Sequence, residues 1–403
     1  MGRIEIPLGP QHPALKEPAN FRLYLEGERI AASNVALGYN HRGVEKACEQ
    51  RTYIEDMYLI ERVCGICSHS HSSCFISAVE EIAKLEVPKR AKYIRMIIGE
   101  LERIHSHLLW LGVAAHEIGF DTLFMYSWRD REVVMDILAM LSGNRVNYAI
   151  NKVGGVRRDI SEEQKEQVLK AVDILEERTR YYIDIVYSET TLIGRLKDVG
   201  KLSYEDAVRF GAAGPVARAS GVDRDTRRDD PYLAYDEIPF NVITDDHCDV
   251  LGRTIVRAKE LMESYKIIRF ALKNLPEGDI TTRSPRRIPA GEALSRYEAP
   301  RGEDVHYVRA NGTDKPERVK LRAPTLANWA SITNMLDGGY LADVPIVVAA
   351  IDPCISCTDR AILIRYPDSR NENLMDWNSL RKYSIDFYKN KGFNAKNIRM
   401  NIK

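Results

Sequence analysis

The sequence contains no stretch long and apolar enough to span a bilayer. Its longest run of apolar side chains unbroken by glycine, proline or a polar residue is 346–351, against the roughly 18 residues that a spanning helix needs. The N-terminus, Met1-Gly2-Arg3-Ile4-Glu5, lacks the apolar core of a signal peptide. Both absences predict a chain soluble by itself, whose link to any membrane runs through a partner. An excess of either charge is also missing. Lys+Arg and Asp+Glu each total 58, for a formal net charge of +0, which argues against a nucleic-acid binder or a polybasic membrane docker. Nor is there a purely basic cluster: Arg224, Arg227 and Arg228 sit among Asp223, Asp225, Asp229 and Asp230, a mixed run that predicts a solvated loop. Cysteine is scarce and odd in number, 7 in 403 residues. That excludes a secreted disulfide scaffold and favours a reducing compartment.

What is present is an ordinary folding composition, 44% hydrophobic and 29% charged, which suffices for a large core. No internal repeat or low-complexity linker divides it. Phe21, Leu23 and Leu25 alternate with Arg22, Tyr24 and Glu26 ahead of Gly27, which predicts a small hairpin. Before it, Gly9-Pro10-Gln11-His12-Pro13 predicts an ordered loop. From about Arg90 the period becomes helical. Ile94, Ile97, Ile98, Leu101, Ile104, Leu108 and Leu109 recur at spacings that place them on one face. Ser161-Glu162-Glu163-Gln164 reads as a capping box opening a second long helix through Val168, Val172, Leu175 and Ile183. A third runs from about Asp249 to Leu275. Alternation returns over 304–322 and predicts a strand pair, and the apolar run 346–351 reads as strand-like. The fold class expected is α+β, mainly α: a long-helix bundle with small antiparallel sheets near the N-terminus and before the second cysteine pair.

Chemistry concentrates in two Cys-x-x-Cys pairs, Cys64/Cys67 and Cys354/Cys357. Four thiolates in one site suit soft or borderline metals, and spacing alone leaves structural zinc, an iron–sulfur centre and other metals open. The competing reading is two unrelated pairs of buried cysteines. His69 and His71, close after Cys67 and near Cys74, invite a zinc site. A helix there would put only His71 and Cys74 on a shared face, so these are read as packing or supporting residues. His105 and His107 are read as helix-surface or core residues.

Three further stretches accompany the cysteines: Gly-Pro-Gln-His-Pro at 9–13, His41-Arg42-Gly43-Val44-Glu45-Lys46, and Glu298-Ala299-Pro300-Arg301-Gly302. With them, the chain resembles the large subunit of nickel–iron hydrogenases. It is most similar to the membrane-bound, energy-converting group related to the quinone-binding 49 kDa subunit of respiratory complex I. The resemblance reaches Arg360 and takes in 214–221 and Arg322-Ala323-Pro324. Complex I relatives lack the cysteine ligands, whereas this sequence has all four.

The resemblance implies that Cys64, Cys67, Cys354 and Cys357 hold a nickel–iron centre. In it Cys67 and Cys357 bridge to iron, and the iron carries diatomic carbon monoxide and cyanide ligands. It implies Glu17 as proton acceptor, against the plainer reading of a loop carboxylate beside Lys16. It implies Arg301 as a guanidinium over the open side of the metals, oriented by Asp352, against an ordinary surface ion pair. Glu45 resembles a ligand for a second, non-redox metal, against a helix-face pair with Arg42. His12 resembles a histidine lining the quinone cavity of complex I and is read here as a structural or proton-path residue. After the second pair this chain has Thr358-Asp359-Arg360 where better-known hydrogenases carry a histidine, which weakens the case for a second metal there.

The same resemblance implies one domain over 1–360 and an extension, 361–403, removed by a maturation protease between Arg360 and Ala361. Cys48, Cys74 and Cys248 are scattered, so no further cysteine cluster is available for an iron–sulfur chain. Clusters are therefore expected in a partner small subunit, with membrane-embedded ion-translocating subunits and a ferredoxin-type carrier beyond it, at the cytoplasmic face of the membrane. Two rivals remain: a 49 kDa-like subunit acting on a quinone or other acceptor, and a structural zinc scaffold.

Overall fold

In the computed structural model, which describes residues 4–359 and 377–392, the N-terminal alternation folds as strands. β1 (Ile4–Leu8), β2 (Asn20–Glu26) and β3 (Arg29–Ala36) form an antiparallel sheet in that order. The link between β2 and β3 turns at Gly27, whose φ of 66° is a left-handed value that a tight hairpin turn demands. Phe21, Leu23 and Leu25 are buried while Arg22 and Glu26 face out. Helices α1 (Val44–Cys48) and α2 (Tyr53–Glu61) lead into the first cysteine pair, and α3 (Ser68–Ile82) leaves it. The long α4 (Lys89–Glu117) and α5 (Asp121–Ser142) follow. A two-residue ladder, β4 (Asn151–Lys152) with β5 (Gly155–Val156), precedes α6 (Glu162–Ser188).

α6 opens as its sequence predicts. The Ser161 hydroxyl accepts from the Gln164 amide and the Ser161 amide donates to the Gln164 side chain, which satisfies two orphan donors reciprocally. Four short helices, α7 (Thr190–Leu196), α8 (Tyr204–Phe210), α9 (Pro215–Arg218) and α10 (Thr226–Asp229), lead to α11 (Val250–Lys273), capped by Asp249. The second sheet is β6 (Gly291–Ala299), β7 (Gly302–Ala310) and β8 (Pro316–Arg322), antiparallel throughout. Thus 304–322 is not an isolated pair: β6 completes a three-stranded sheet. α12 (Pro324–Leu336), α13 (Val344–Ala350) and α14 (Ile355–Thr358) follow. The chain divides into two compact units, Met1–Arg360 and Ala361–Lys403. The described part of the second contains α15 (Trp377–Asn390). The expected cleavage point lies outside the described residues. Among the described residues no helix is long and apolar enough to cross a membrane.

α4 and α11 pack on each other at the centre, with α5 against α4 and α6 against α11. Ile94, Ile97, Ile98, Leu101, Ile104 and Leu108 are buried, each worth about 1.5–3 kcal/mol of transfer energy. A one-faced reading of α4 is nevertheless incomplete. The helix also buries Arg95, Glu100, Glu102, Arg103, His105 and His107, and buried charge persists only when paired. The pairs come from distant segments: His107 bonds Glu260 at 2.8 Å, Glu260 accepts from Arg218, and Arg227 reaches Glu100 at 3.0 Å. The expectation of a solvated 223–230 loop therefore fails at Arg227, which is 2% exposed and grips Asp225 with two bonds. It holds for Arg228, which pairs with Asp223 and Asp229 at the surface.

The run 346–351 is helical rather than a strand, because Val344–Ala350 is α13 with proline in its first turn. Proline there forfeits no hydrogen bond, and a short apolar run does not by itself distinguish strand from buried helix.

Candidate metal centre

The first cysteine pair occupies the break between α2 and α3, and Cys67 is the residue before the first turn of α3. Glu102, from α4, caps that turn. Its carboxylate accepts from the amides of His69 (2.6 Å) and Ser70 (3.0 Å) and from the Ser70 hydroxyl (2.5 Å), filling the orphan donors of a helix start. Burial drives Glu102 up to about 8 in spite of those donors. Within the loop, the Cys64 sulfur accepts from the Ile66 and Cys67 amides at 3.3 and 3.1 Å. A hydrogen bond from the Cys67 thiol, helped by the charges of Arg301 and His71, draws Cys64 down to about 6 against its burial. The same bond pushes Cys67 up. Cys64 is therefore the first of the two to become a thiolate.

The second pair is reached through a sharp turn. Asp352 sits at φ 53°, a left-handed value that aspartate tolerates better than most residues. It turns the chain from α13 into Pro353-Cys354, with Cys354 just before the single turn of α14 and Cys357 within it. Three remote side chains hold this turn. The Cys354 amide donates to Thr325 Oγ1 at 3.2 Å. The Glu17 carboxylate accepts from the Ser356 amide at 2.8 Å and from its hydroxyl. Arg42 donates to the carbonyls of Arg62 (3.1 Å) and Val63 (2.7 Å) on one loop and of Ser356 (3.1 Å) on the other, clasping the two together. Cys354 and Cys357 are joined as a disulfide, and the Cys354 and Cys64 sulfurs lie 3.5 Å apart. All four cysteines are buried in one core between α2, α3 and the second sheet.

Arg301 stands against this cluster. It lies in the two-residue turn joining β6 to β7, is 3% exposed, and donates from Nη1 to the Cys67 sulfur (3.0 Å) and Ser106 (3.3 Å). Its other nitrogens hold Asp352: Nη2 to the carboxylate at 2.7 Å and Nε to the carbonyl at 2.8 Å. Burial alone would lower this guanidinium's pKa, but Asp352 and the two sulfurs hold it above its usual value. The turn is fixed from behind. Gly302 packs so closely on Gly214 that a Cβ on Gly302 would stand 2.6 Å from the Gly214 nitrogen, while Arg103 grips the Glu298 and Ala299 carbonyls. Glu17, Arg301 and Asp352 share a cavity of about 80 Å³, otherwise lined largely by apolar groups such as Ile66, Leu109 and Trp110.

Glu45 and the histidines do not line this pocket, whereas Lys16 does. Lys16 pairs with Glu117 at 2.7 Å rather than with Glu17. Glu45 does not pair with Arg42; it accepts from Lys320 and from the Leu321 amide at 2.9 and 3.0 Å. His12 is exposed. His69 bonds the Arg95 carbonyl, and Cys74 bonds Ser295. His105 is buried and contacts Arg131, and His107 is the buried partner of Glu260. Arg42 and Glu102 are supports that sequence reasoning leaves unassigned. Arg42 sits in a motif already singled out, whereas Glu102 is hidden in the polar positions of a helix read only for its apolar face.

The donor set fits a thiolate-bound metal. With the disulfide opened, the Cys64, Cys354 and Cys357 sulfurs lie within 4.8 Å of one another, Cys67 adjoins them through its bond to Cys64, and Arg301 with Glu17 and Asp352 lines the adjoining cavity. A closed structural zinc site has no need of that cavity.

Known proteins match along nearly the whole chain. The family described as "Respiratory-chain NADH dehydrogenase, 49 Kd subunit" matches residues 117–288 and 282–360, and the one described as "Nickel-dependent hydrogenase" matches residues 42–112. The chain is 45% identical to the membrane-bound hydrogenase subunit alpha of Pyrococcus furiosus, over 90% of this chain and 88% of that one. It is 39% identical to an NADH-quinone oxidoreductase subunit of Dehalococcoides mccartyi, over 88% and 97%. In structure it matches a chain of the membrane-bound sulfane sulfur reductase, an archaeal respiratory membrane complex, with a TM-score of 0.85 and 32% identity over 89% of this chain and 98% of that one.

Proposed function

The chain belongs to the oxidoreductase family that joins the large subunits of energy-converting nickel–iron hydrogenases to the 49 kDa subunit of complex I, and on that basis we propose that it is the catalytic large subunit of such a hydrogenase. The reading rests on one observation: both cysteine pairs converge in a buried cluster against Arg301, beside a cavity that Glu17 lines. The relatives' names divide among hydrogen, quinone and sulfane sulfur, so the four-sulfur set favours the first.

Cys64, Cys67, Cys354 and Cys357 would hold the metals, and Glu45 is not needed for them. When bound, the nickel–iron pair supplies heterolytic cleavage or formation of dihydrogen, two electrons and two protons per molecule. The chain's own groups do the rest. Arg301 places a permanent positive charge beside the Cys67 sulfur, offsetting thiolate charge in a dry site. Asp352 fixes its orientation. Glu17 lies within reach of the same cavity and is half-buried, so it can take a proton at a carboxylate oxygen and pass it outward. Ile66, Leu109 and Trp110 keep bulk water from the cluster. Electrons leave through an iron–sulfur small subunit toward a ferredoxin-type carrier. Membrane-embedded partners couple the transfer to ion movement at the cytoplasmic face, and a maturation protease removes 361–403 once the metals are in place.

The test is metal analysis of the purified complex with infrared spectroscopy and hydrogen–deuterium exchange. Nickel and iron with bands from diatomic ligands, together with exchange activity, are expected. One zinc and no exchange would establish the scaffold reading, and quinone-dependent turnover without exchange the 49 kDa-like one.

A further inference from the structure

One turn beyond Cys67, a second cluster of ligand-type side chains is closed within the fold. His71 projects from α3. Asp304 and His306, two apart on β7, share the strand face that packs on α3. His71 Nδ1 lies 2.9 Å from Asp304 Oδ2 and 3.1 Å from His306 Nε2, and His306 Nε2 lies 3.1 Å from Asp304 Oδ2. The three atoms make a nearly equilateral triangle, and their residues are 1%, 0% and 0% exposed. Asp304 Oδ2 faces only the two imidazoles, and Asp304 Oδ1 and His306 Nδ1 have no hydrogen-bond partner. A dry carboxylate with one oxygen left unpaired is costly.

A cation removes that cost. Bonds of about 2.0–2.2 Å to imidazole nitrogen or carboxylate oxygen put neighbouring donor atoms about 2.8–3.1 Å apart at octahedral angles and about 3.3–3.6 Å apart at tetrahedral ones. The observed edges fall in the octahedral range. Two imidazoles and one carboxylate on one face are a donor set for borderline divalent ions, harder than the four sulfurs nearby. The nearby Cys74 thiol is turned to Ser295 and to the Asp304 carbonyl instead, so it does not complete a thiolate site.

We propose that His71, Asp304 and His306 bind a divalent first-row transition ion, as a site separate from the cysteine cluster. The ion would tie β7 to α3 and so brace both the helix that starts at Cys67 and the strand that follows Arg301. The site does not depend on hydrogenase chemistry.

Cobalt(II) added to the reduced, chelator-stripped full chain tests it, because thiolate–cobalt charge transfer in the near ultraviolet separates sulfur sites from nitrogen–oxygen ones. In a Cys64→Ser/Cys354→Ser variant that keeps its far-ultraviolet dichroism, one equivalent should still bind with weak visible bands, in a phase distinct from any thiolate band given by Cys67 and Cys357. His306→Ala should abolish that phase, and Asp304→Asn should weaken it by more than about tenfold. No such phase in the folded double variant, or one that His306→Ala leaves unchanged, overturns the site and leaves a hydrogen-bonded triad. Should the double variant not fold, the native chain gives the answer by itself. It should titrate in two phases, and His306→Gln should delete only the phase lacking the thiolate band. A single phase, or a second phase that survives that change, overturns the proposal.

Discussion

The two cysteine loops have the same spacing and the same local device, yet the carboxylates that serve them differ. Each loop adjoins a helix start, and at each a glutamate from elsewhere in the chain accepts a backbone amide and a serine hydroxyl. Glu102 does this for α3 and Glu17 for α14. Glu102 is sealed, at 0% exposure, and burial holds it largely protonated near neutrality, at about 8. Glu17 is half-buried on the wall of the cavity that reaches Arg301. One geometry thus serves two ends: a carboxylate without solvent contact can only fix a helix, whereas one on a cavity wall can also exchange protons.

The sharpest test of that contrast is Glu17→Gln against Glu17→Ala. Glutamine keeps an acceptor for the Ser356 amide but carries no exchangeable acid. Hydrogen–deuterium exchange should fall by on the order of 100-fold or more, with nickel content unchanged. Alanine should lose nickel as well. If glutamine retains full exchange, Glu17 is only a cap and the two loops are equivalent.

Arg301→Lys comes next. Lysine keeps the charge but loses the fork that binds the Cys67 sulfur, Ser106 and Asp352 together. We expect roughly 10- to 100-fold slower exchange with nickel retained. Unchanged exchange would mean that charge alone matters and the fork is incidental.

On the first loop the corresponding change is Glu102→Ala, which strands the His69 and Ser70 amides in the core. We expect a loss of about 1–3 kcal/mol, read as a lower melting temperature of the complex, and a smaller loss for Glu102→Gln. Equal melting temperatures for alanine and native would show that α3 needs no cap from α4.

The supports for the two loops are unequally legible in the sequence. Apolar periodicity locates α4, α6 and α11, motif spacing singles out the cysteines, and only the family resemblance adds Arg301, Asp352 and Glu17. Periodicity does not reveal that α4 is buried all round. Polar residues at the outward positions of a helix look solvated until the fold supplies Glu260, Arg218 and Arg227 from more than 100 positions away. Glu102 and Arg42 escape notice for the same reason, since their partners lie on other loops. The strand reading of 346–351 fails because Val and Ile runs suit either element when both faces are buried. There the proline at 345 is the discriminating residue.

The smallest effect concerns α2, which leads into the first loop and carries a buried acid where α13, which leads into the second, carries none. Asp56 on this helix is fully buried, with the Cys48 thiol beside its carboxylate. Burial raises its carboxyl to about 8 from 3.8. The unfolded chain therefore ionises this group near pH 4, while the folded chain keeps the proton until about pH 8. Between those limits the folded state binds more protons, so stability declines as pH rises, by at most about 1.4 kcal/mol per pH unit for one proton. Below pH 4 and above pH 8 the contribution is flat. Asp56→Asn imitates the protonated acid, so melting temperatures taken from pH 5 to 8 should slope less than native by one proton's worth. An identical slope in the variant would mean that Asp56 is already charged in the fold. The approach to the first loop would then be as tolerant of charge as the approach to the second.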